Sequence, residues 1–239
     1  MNIKLSLIIA AILGVTIAIA LHLSSAQPVS ISLKTNDNSS NTIQHQQAKT
    51  KKLELILKTK TCVECDLMGF DLSGVDLSGV DFSRADFSQA NLSDSNLEKA
   101  KLKDAKVIGA RLENAKLTSA DLDGADFKDT NLKGADLSDA NLLNIRLANA
   151  DLSAAILNRT ELREADLTGA NMEHADLSHA SIYGAILREA NLTSANLYKA
   201  NLRYANLQDA VLKGTNLKGA DLQFAVMPDG KTVYGTDDY

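Results

Sequence analysis

One residue class recurs at every fifth position from Leu67 to Met227 without a slip. These 33 centres, each called i, are all apolar: 26 Leu, three Phe, two Met, one Val and one Ile. Two residues earlier, at i−2, Ala stands in 24 of the 33 units. A five-residue phase suits neither regular element. On a helix successive centres would step about 140° around the axis and smear over every face. On a flat strand i and i+5 would point to opposite sides. Within each unit, however, i−2 and i share one side, as in a very short strand, and the chain must turn before the next unit. Glycine supports a turn at i+2, where ten of the thirteen lie, from Gly69 and Gly74 to Gly214 and Gly219. Asp94, Asn114 and Asp139 fill the same slot, and these residue types take turn geometry at little cost. A chain that bends after every fifth residue coils.

The i−1 position sets how many units close one coil. Lys101, Lys106, Arg111 and Lys116 are consecutive there, preceded by Asp81, Asp86, Asn91 and Asn96 and followed by Asp121, Asp126, Asn131 and Asp136. If a coil is four units, opposite charges stack in ladders such as Asp86–Lys106–Asp126–Arg146–Asp166. Neighbouring coils about 4.8 Å apart would bring those charges together. Exposed pairs contribute about 0–1 kcal/mol each, so the ladders report register more than stability.

The pattern resembles the pentapeptide-repeat family, whose motif A-(D/N)-L-x-x is met by Ala120-Asp121-Leu122-Asp123-Gly124 and by Ala195-Asn196-Leu197-Tyr198-Lys199. The resemblance covers roughly residues 65–227. It implies an all-β, right-handed quadrilateral β-helix with four repeats per coil and about eight coils, a rod roughly 40 Å long. The i and i−2 side chains would fill its interior, and i−1, i+1 and i+2 would face outward. The ends are similar to exported cyanobacterial members, with a cysteine pair before the first coil and an M-P-D-G-like ending.

Outside the repeats the chain changes character. Residues 1–26 read as a targeting segment: Lys4, an apolar run from Leu5 to Leu23, then Ser24-Ser25-Ala26 as a small-x-small cleavage pattern. Either it is a cleaved signal peptide or residues 5–23 stay as an N-terminal membrane anchor. Both place the remainder outside the cytoplasm, in the periplasm or, following the cyanobacterial likeness, in a thylakoid lumen. Residues 27–48, rich in Ser, Asn, Gln and Thr, read as a flexible linker. Within 49–64, Leu53, Ile56 and Leu57 give one face of a short capping helix, and Cys62 and Cys65 follow. Phe70, Val75 and Val80, large residues at i−2, are expected to meet that helix. Residues 228–239 read as a polar C-terminal tail. The two prolines, Pro28 and Pro228, bracket the repeats, as complete coil-to-coil hydrogen bonding demands.

Composition narrows the function. Only 4% of the 239 residues are aromatic and none is Trp, which argues against an ordinary mixed core. A net charge of −5 offers no global attraction to nucleic acid or an anionic membrane. Cys62-Val63-Glu64-Cys65 admits four readings: a local structural disulfide, a redox pair, half a metal site, or free thiols. His174 and His179 at i+2 read as surface residues. Acidic i−1 residues follow from the repeat, so paired carboxylates carry no catalytic information. No catalytic, cofactor or metal residues are assigned, and the chain is expected not to be an enzyme.

One outward feature is less generic. Tyr204 and Phe224 are twenty residues apart at i+2, Tyr183 lies on the same face one coil earlier, and Tyr198 lies on the neighbouring face. These four either form a protein-contact surface or cover the returning tail through Tyr234 or Tyr239. The leading expectation is a non-enzymatic exported interaction solenoid with a protein partner and no nucleic acid. The alternatives are a DNA-mimicking topoisomerase regulator, as some members of the family are, and a redox or metal role through Cys62 and Cys65.

Overall fold

The computed structural model describes residues 37–235, with side chains from residue 47 onward. The targeting segment of residues 1–26 and Tyr239 lie outside the described residues. The chain divides into two units, Met1–Lys58 and Thr59–Tyr239. In the first, helix α1 runs Asp37–Thr59. It starts well inside the segment expected to be a flexible linker over 27–48, and so corrects that boundary. Gln44, Gln46, Gln47, Ala48 and the following lysines and leucines are strong helix formers, and lack of an apolar period does not prevent them from forming one. Lys58 in the last turn favours the negative end of the helix. No helix among the described residues is long and apolar enough to cross a membrane.

In the second unit every i−1 residue from Thr61 to Asn206 pairs in parallel with the residue twenty positions on. The series begins at Thr61↔Asp81 and runs through Asp86↔Lys106, Lys106↔Asp126 and Arg146↔Asp166 to Asn206↔Val226. Four pentapeptides therefore make each turn of the coil.

The unit Asp136–Ala140 shows how one pentapeptide satisfies its backbone. Asp136 N–H donates to Ala115 C=O (2.9 Å) in the preceding coil, whereas Leu137 and Asp139 donate to Ile156 and Asn158 (2.8 and 3.1 Å) in the following one. Ala140 N–H closes a β-turn on Leu137 C=O at 3.0 Å. The fifth donor, Ser138 N–H, reaches Asp136 Oδ1 at 3.0 Å. Asp and Asn at i−1 thus do more than stack, because their side-chain oxygen accepts the one N–H that the ladder omits, as in an Asx turn. Asn at i−1 also donates its Nδ2 to the coil before, as from Asn141 to Asp121 (2.9 Å) and from Asn196 to Asp176 (2.9 Å). Charge does likewise between Lys101 and Asp81 (3.5 Å) and between Arg146 and Asp126 (3.1 Å).

The third turn residue, i+2, has positive φ in all 33 units from Glu64 to Phe224, and 23 of these residues are not glycine. The fold imposes the left-handed corner whatever the side chain. Inside, the leucines and alanines are buried, with Leu137 and Leu197 wholly inaccessible. Ala suits i−2 because the tube is narrow. Ser95, Thr130 and Thr160 replace it by returning their hydroxyl hydrogens to the carbonyls of Leu92, Phe127 and Leu157 at 2.6–2.7 Å, so no buried polar group is orphaned there.

Both ends depart from the sequence-based boundaries. The coil register starts one unit early, because Thr61 bridges Asp81 and Cys62 N–H donates to Asp81 C=O at 2.7 Å. Cys62 occupies a buried centre and Cys65 the next i−2 position, with their sulfurs at disulfide distance, 2.03 Å. The pair therefore lies within the first unit rather than before it; cysteine is small and apolar enough to stand where leucine recurs later. At the other end, residues 228–235 do not form a free tail. Gly230 (φ 79°) helps to turn the chain, Val226 pairs antiparallel with Thr232, and Val233 bonds Phe224 and Ala225. Pro228 falls at i+1, whose N–H is not a ladder donor, so proline costs the coil nothing there while its carbonyl still accepts from Asp209 (3.1 Å).

Four outcomes are expected. Leu137→Ala should lower the unfolding free energy by about 2–5 kcal/mol in urea titrations. The carboxyls of Asp76, Asp81 and Asp86 are held below their ordinary 3.8, first by the hydroxyls of Ser78, Ser83 and Ser88. A depressed folded pKa stabilises above the unfolded value and is lost as pH falls, so the melting midpoint should drop below about pH 4. The triple change Asp76→Asn, Asp81→Asn, Asp86→Asn keeps the turn acceptor and should flatten that drop. Thiol titration of the denatured chain should find no free thiol before reduction and two afterwards.

Candidate protein-contact surface

Corner residues align along the axis in the same twenty-residue register as the ladders. Arg159 grips Asp139 with two hydrogen bonds (2.7 and 2.9 Å), and Arg84 meets Glu64 at 2.8 Å. The column that begins with Glu64 and Arg84 ends with Tyr204 and Phe224, at φ 60° and 65°. Gly, Asn and Asp fit such corners with least strain, so two large rings there depart from the turn chemistry. Their centroids lie 4.9 Å apart at 26°, a stacked pair. Tyr183, at i+1 of the preceding coil, reaches Tyr204 at 5.3 Å, and Tyr234 from the hairpin meets Phe224 edge-on at 6.5 Å. Such contacts contribute about 0.5–1.5 kcal/mol each beyond area burial.

The column is only partly covered. Tyr204 remains 48% and Tyr234 79% exposed. The hairpin covers one end of the stack through Tyr234, and the side stays open. Ring faces are turned on one another, so the surface offers edges and hydroxyls rather than a flat platform for a sugar ring. Arg203 lies over both Tyr204 and Phe224, 5.9 and 5.8 Å from their centroids, and reaches Asp221 at 3.4 Å. Tyrosine and arginine together are the residue types that most often anchor protein contacts.

Of the residues marked by sequence, Tyr183, Tyr204 and Phe224 come together and Tyr198 does not join them. Tyr198 pairs instead with His179, 5.6 Å away and edge-on, under the Lys199 ammonium at 5.1 Å. His174 stands at its own corner, 3.6 Å from Glu173. Cys62 and Cys65 belong to the first unit, remote along the chain. Two contributors, Tyr234 and Arg203, went unmarked, as did Ile186, an exposed apolar residue at another ladder position. Tyr234 lies beyond the last unit, where counting no longer gives position. Arg203 carries no pattern of its own. Ile186 was findable: it is 43% exposed at i−1, between Asp166 and Asn206, where the repeat asks for a polar residue. Among the described residues no group of three or more His, Cys, Asp or Glu could hold a metal ion.

Comparison with known proteins agrees with this architecture. A family model described as "Pentapeptide repeat region" matches residues 80–152, and one described as "Pentapeptide repeats (8 copies)" matches 145–184, 170–203 and 195–228. No curated protein matches the chain. Among solved structures, HetL from the cyanobacterium Nostoc sp. strain PCC 7120, a protein involved in heterocyst differentiation regulation, is 33% identical; the match covers 71% of this chain and 92% of HetL, with a TM-score of 0.39. A pentapeptide repeat protein of the Arabidopsis thaliana thylakoid lumen is 37% identical over 47% of this chain and 71% of its own, with a TM-score of 0.29. QnrB1, a plasmid-mediated fluoroquinolone resistance protein, is 22% identical over 68% of this chain and 89% of its own, with a TM-score of 0.48. Members of this family fold as right-handed quadrilateral β-helices. With its unbroken register of four units per coil, the chain belongs to the pentapeptide-repeat family.

Proposed function

We propose that this protein is a non-enzymatic interaction module acting outside the cytoplasm, a rod of about eight coils that presents its C-terminal aromatic column to a protein partner. The observation that carries the reading is the stack of Tyr183, Tyr204, Phe224 and Tyr234, half-open at a corner and flanked by Arg203. Rigid rings held by the coil lose little side-chain freedom on binding, which favours a contact. Export rests on the pattern of residues 1–26. The basic belt of Lys101, Lys106, Arg111 and Lys116 interrupts any continuous acidic stripe, so a DNA-mimicking topoisomerase regulator is less favoured.

Fractionation followed by crosslinked capture tests the proposal. The mature chain should partition with extracytoplasmic proteins and capture a discrete partner. Tyr204→Ser with Phe224→Ser should abolish capture while circular dichroism stays unchanged and melting shifts by only a few degrees. Unchanged capture by the double variant would discard this surface.

A further inference from the structure

The coil does not end evenly. In the last complete coil Leu192 and Leu197 are fully buried, and the amides of Leu192, Ser194, Leu197 and Lys199 all donate to the next turn, at 2.9, 2.9, 2.8 and 3.1 Å. One turn later the equivalent residues are Leu212, Gly214, Leu217 and Gly219. Their N–H groups have no acceptor among the described residues, and Leu212 and Leu217 are half-exposed. On the other two faces of the same turn the chain beyond Asp221 supplies most of what is missing, leaving only Leu222 N–H without an acceptor among the described residues. Pro228 C=O accepts from Asp209, and Val233 C=O accepts from Phe224 at 2.7 Å. The end is thus half closed by strand addition and half open.

The open half has a definite chemistry. Two N–H donors face along the axis on each of two adjoining sides, spaced as the ladder spaces them. Half-exposed Thr215 and Ala220 extend the apolar floor between Leu212 and Leu217. Lys213 and Lys218 flank that floor, and neither joins an ion pair among the described residues. Four amide hydrogens and two ammonium groups make a positive, acceptor-seeking edge. A second copy docked end to end would bring Lys213 and Lys218 against their own equivalents, which like-charge repulsion opposes.

We propose that the open half of the C-terminal turn docks an extended acidic segment of a partner protein by β-strand addition. Its apolar residues would sit five apart over Leu212 and Leu217, and its carboxylates would lie beside Lys213 and Lys218. Backbone pairing supplies affinity, and the leucine floor and lysine rim supply selectivity. This site is separate from the aromatic column: Tyr204→Ser should leave it intact.

The test uses the full chain and a synthetic decapeptide made of two copies of Ala-Asn-Leu-Glu-Gly, against a control with Lys in place of each Glu. Amide exchange should be fast at Leu212, Gly214, Leu217 and Gly219 in the free protein and slow about tenfold or more with the acidic peptide. Fluorescence anisotropy should find the acidic peptide bound about tenfold more tightly than the basic one, with the order reversed in Lys213→Glu, Lys218→Glu. Three results would overturn the proposal. One is equal binding of both peptides; another is no binding of the acidic peptide up to about 1 mM. The third is a chain that sediments as a dimer with those four amides already protected, which would mean that a second copy fills the end.

Discussion

Everything in the coil depends on one requirement: each backbone N–H must find an acceptor although no strand is longer than a few residues. The twenty-residue register meets it. Within the coil, three donors of a pentapeptide reach neighbouring coils and one closes the turn, and where i−1 is Asp or Asn its side-chain oxygen takes the last, as in Asp136–Ala140. Leucine burial alone would not select this geometry, because an apolar residue every fifth position can be buried in many collapsed forms. Hydrogen bonding makes the register unique, since unpaired groups in so narrow a tube would each cost about 1–3 kcal/mol.

That requirement explains what can vary. Lys101, Lys106, Arg111 and Lys116 cannot accept the N–H two residues on, yet the coil continues through them because the ladder donors of these units are still paired. Side chains at i+2 are free to differ because φ there is set by the turn, and Ala154, Arg159 and Tyr204 all adopt the conformation that Gly takes at Gly124. The exterior is therefore a surface on which function can be written without disturbing the core. Two departures are concentrated near the C-terminal end: large rings at corners, and a turn whose hydrogen bonding stops halfway around.

Much of this was legible in the amino-acid sequence because the repeat is local and strictly periodic. The interior leucines, the corner glycines and the alignment of Asp86, Lys106 and Asp126 all follow from counting. What counting missed lies where the count fails. Cys62 was placed outside the coil because it is not leucine, although it fills the first centre. Helix α1 reaches back to Asp37 through Asp, Asn, Ser and Thr, residue types suited to a helix N-terminus, whose spacing shows no apolar face to count. Tyr234 joins the aromatic column only through a hairpin after the phase has ended. Tyr198, placed on the neighbouring face by counting, does lie apart from the column and pairs with His179. Ile186 shows the converse: a residue that breaks the i−1 rule was visible in the pattern and marks an exposed apolar position.

The register itself is open to a direct covalent measurement. Asn131 and Asp151 are bridged across adjacent coils, at a strand spacing within reach of a disulfide, whereas Asn131 and Ile156 are one pentapeptide out of line. Oxidation of the double variant Asn131→Cys, Asp151→Cys should form an intrachain crosslink in the native state, and Asn131→Cys, Ile156→Cys should not. Crosslinking of the second pair in preference to the first would show that the coil does not close every twentieth residue.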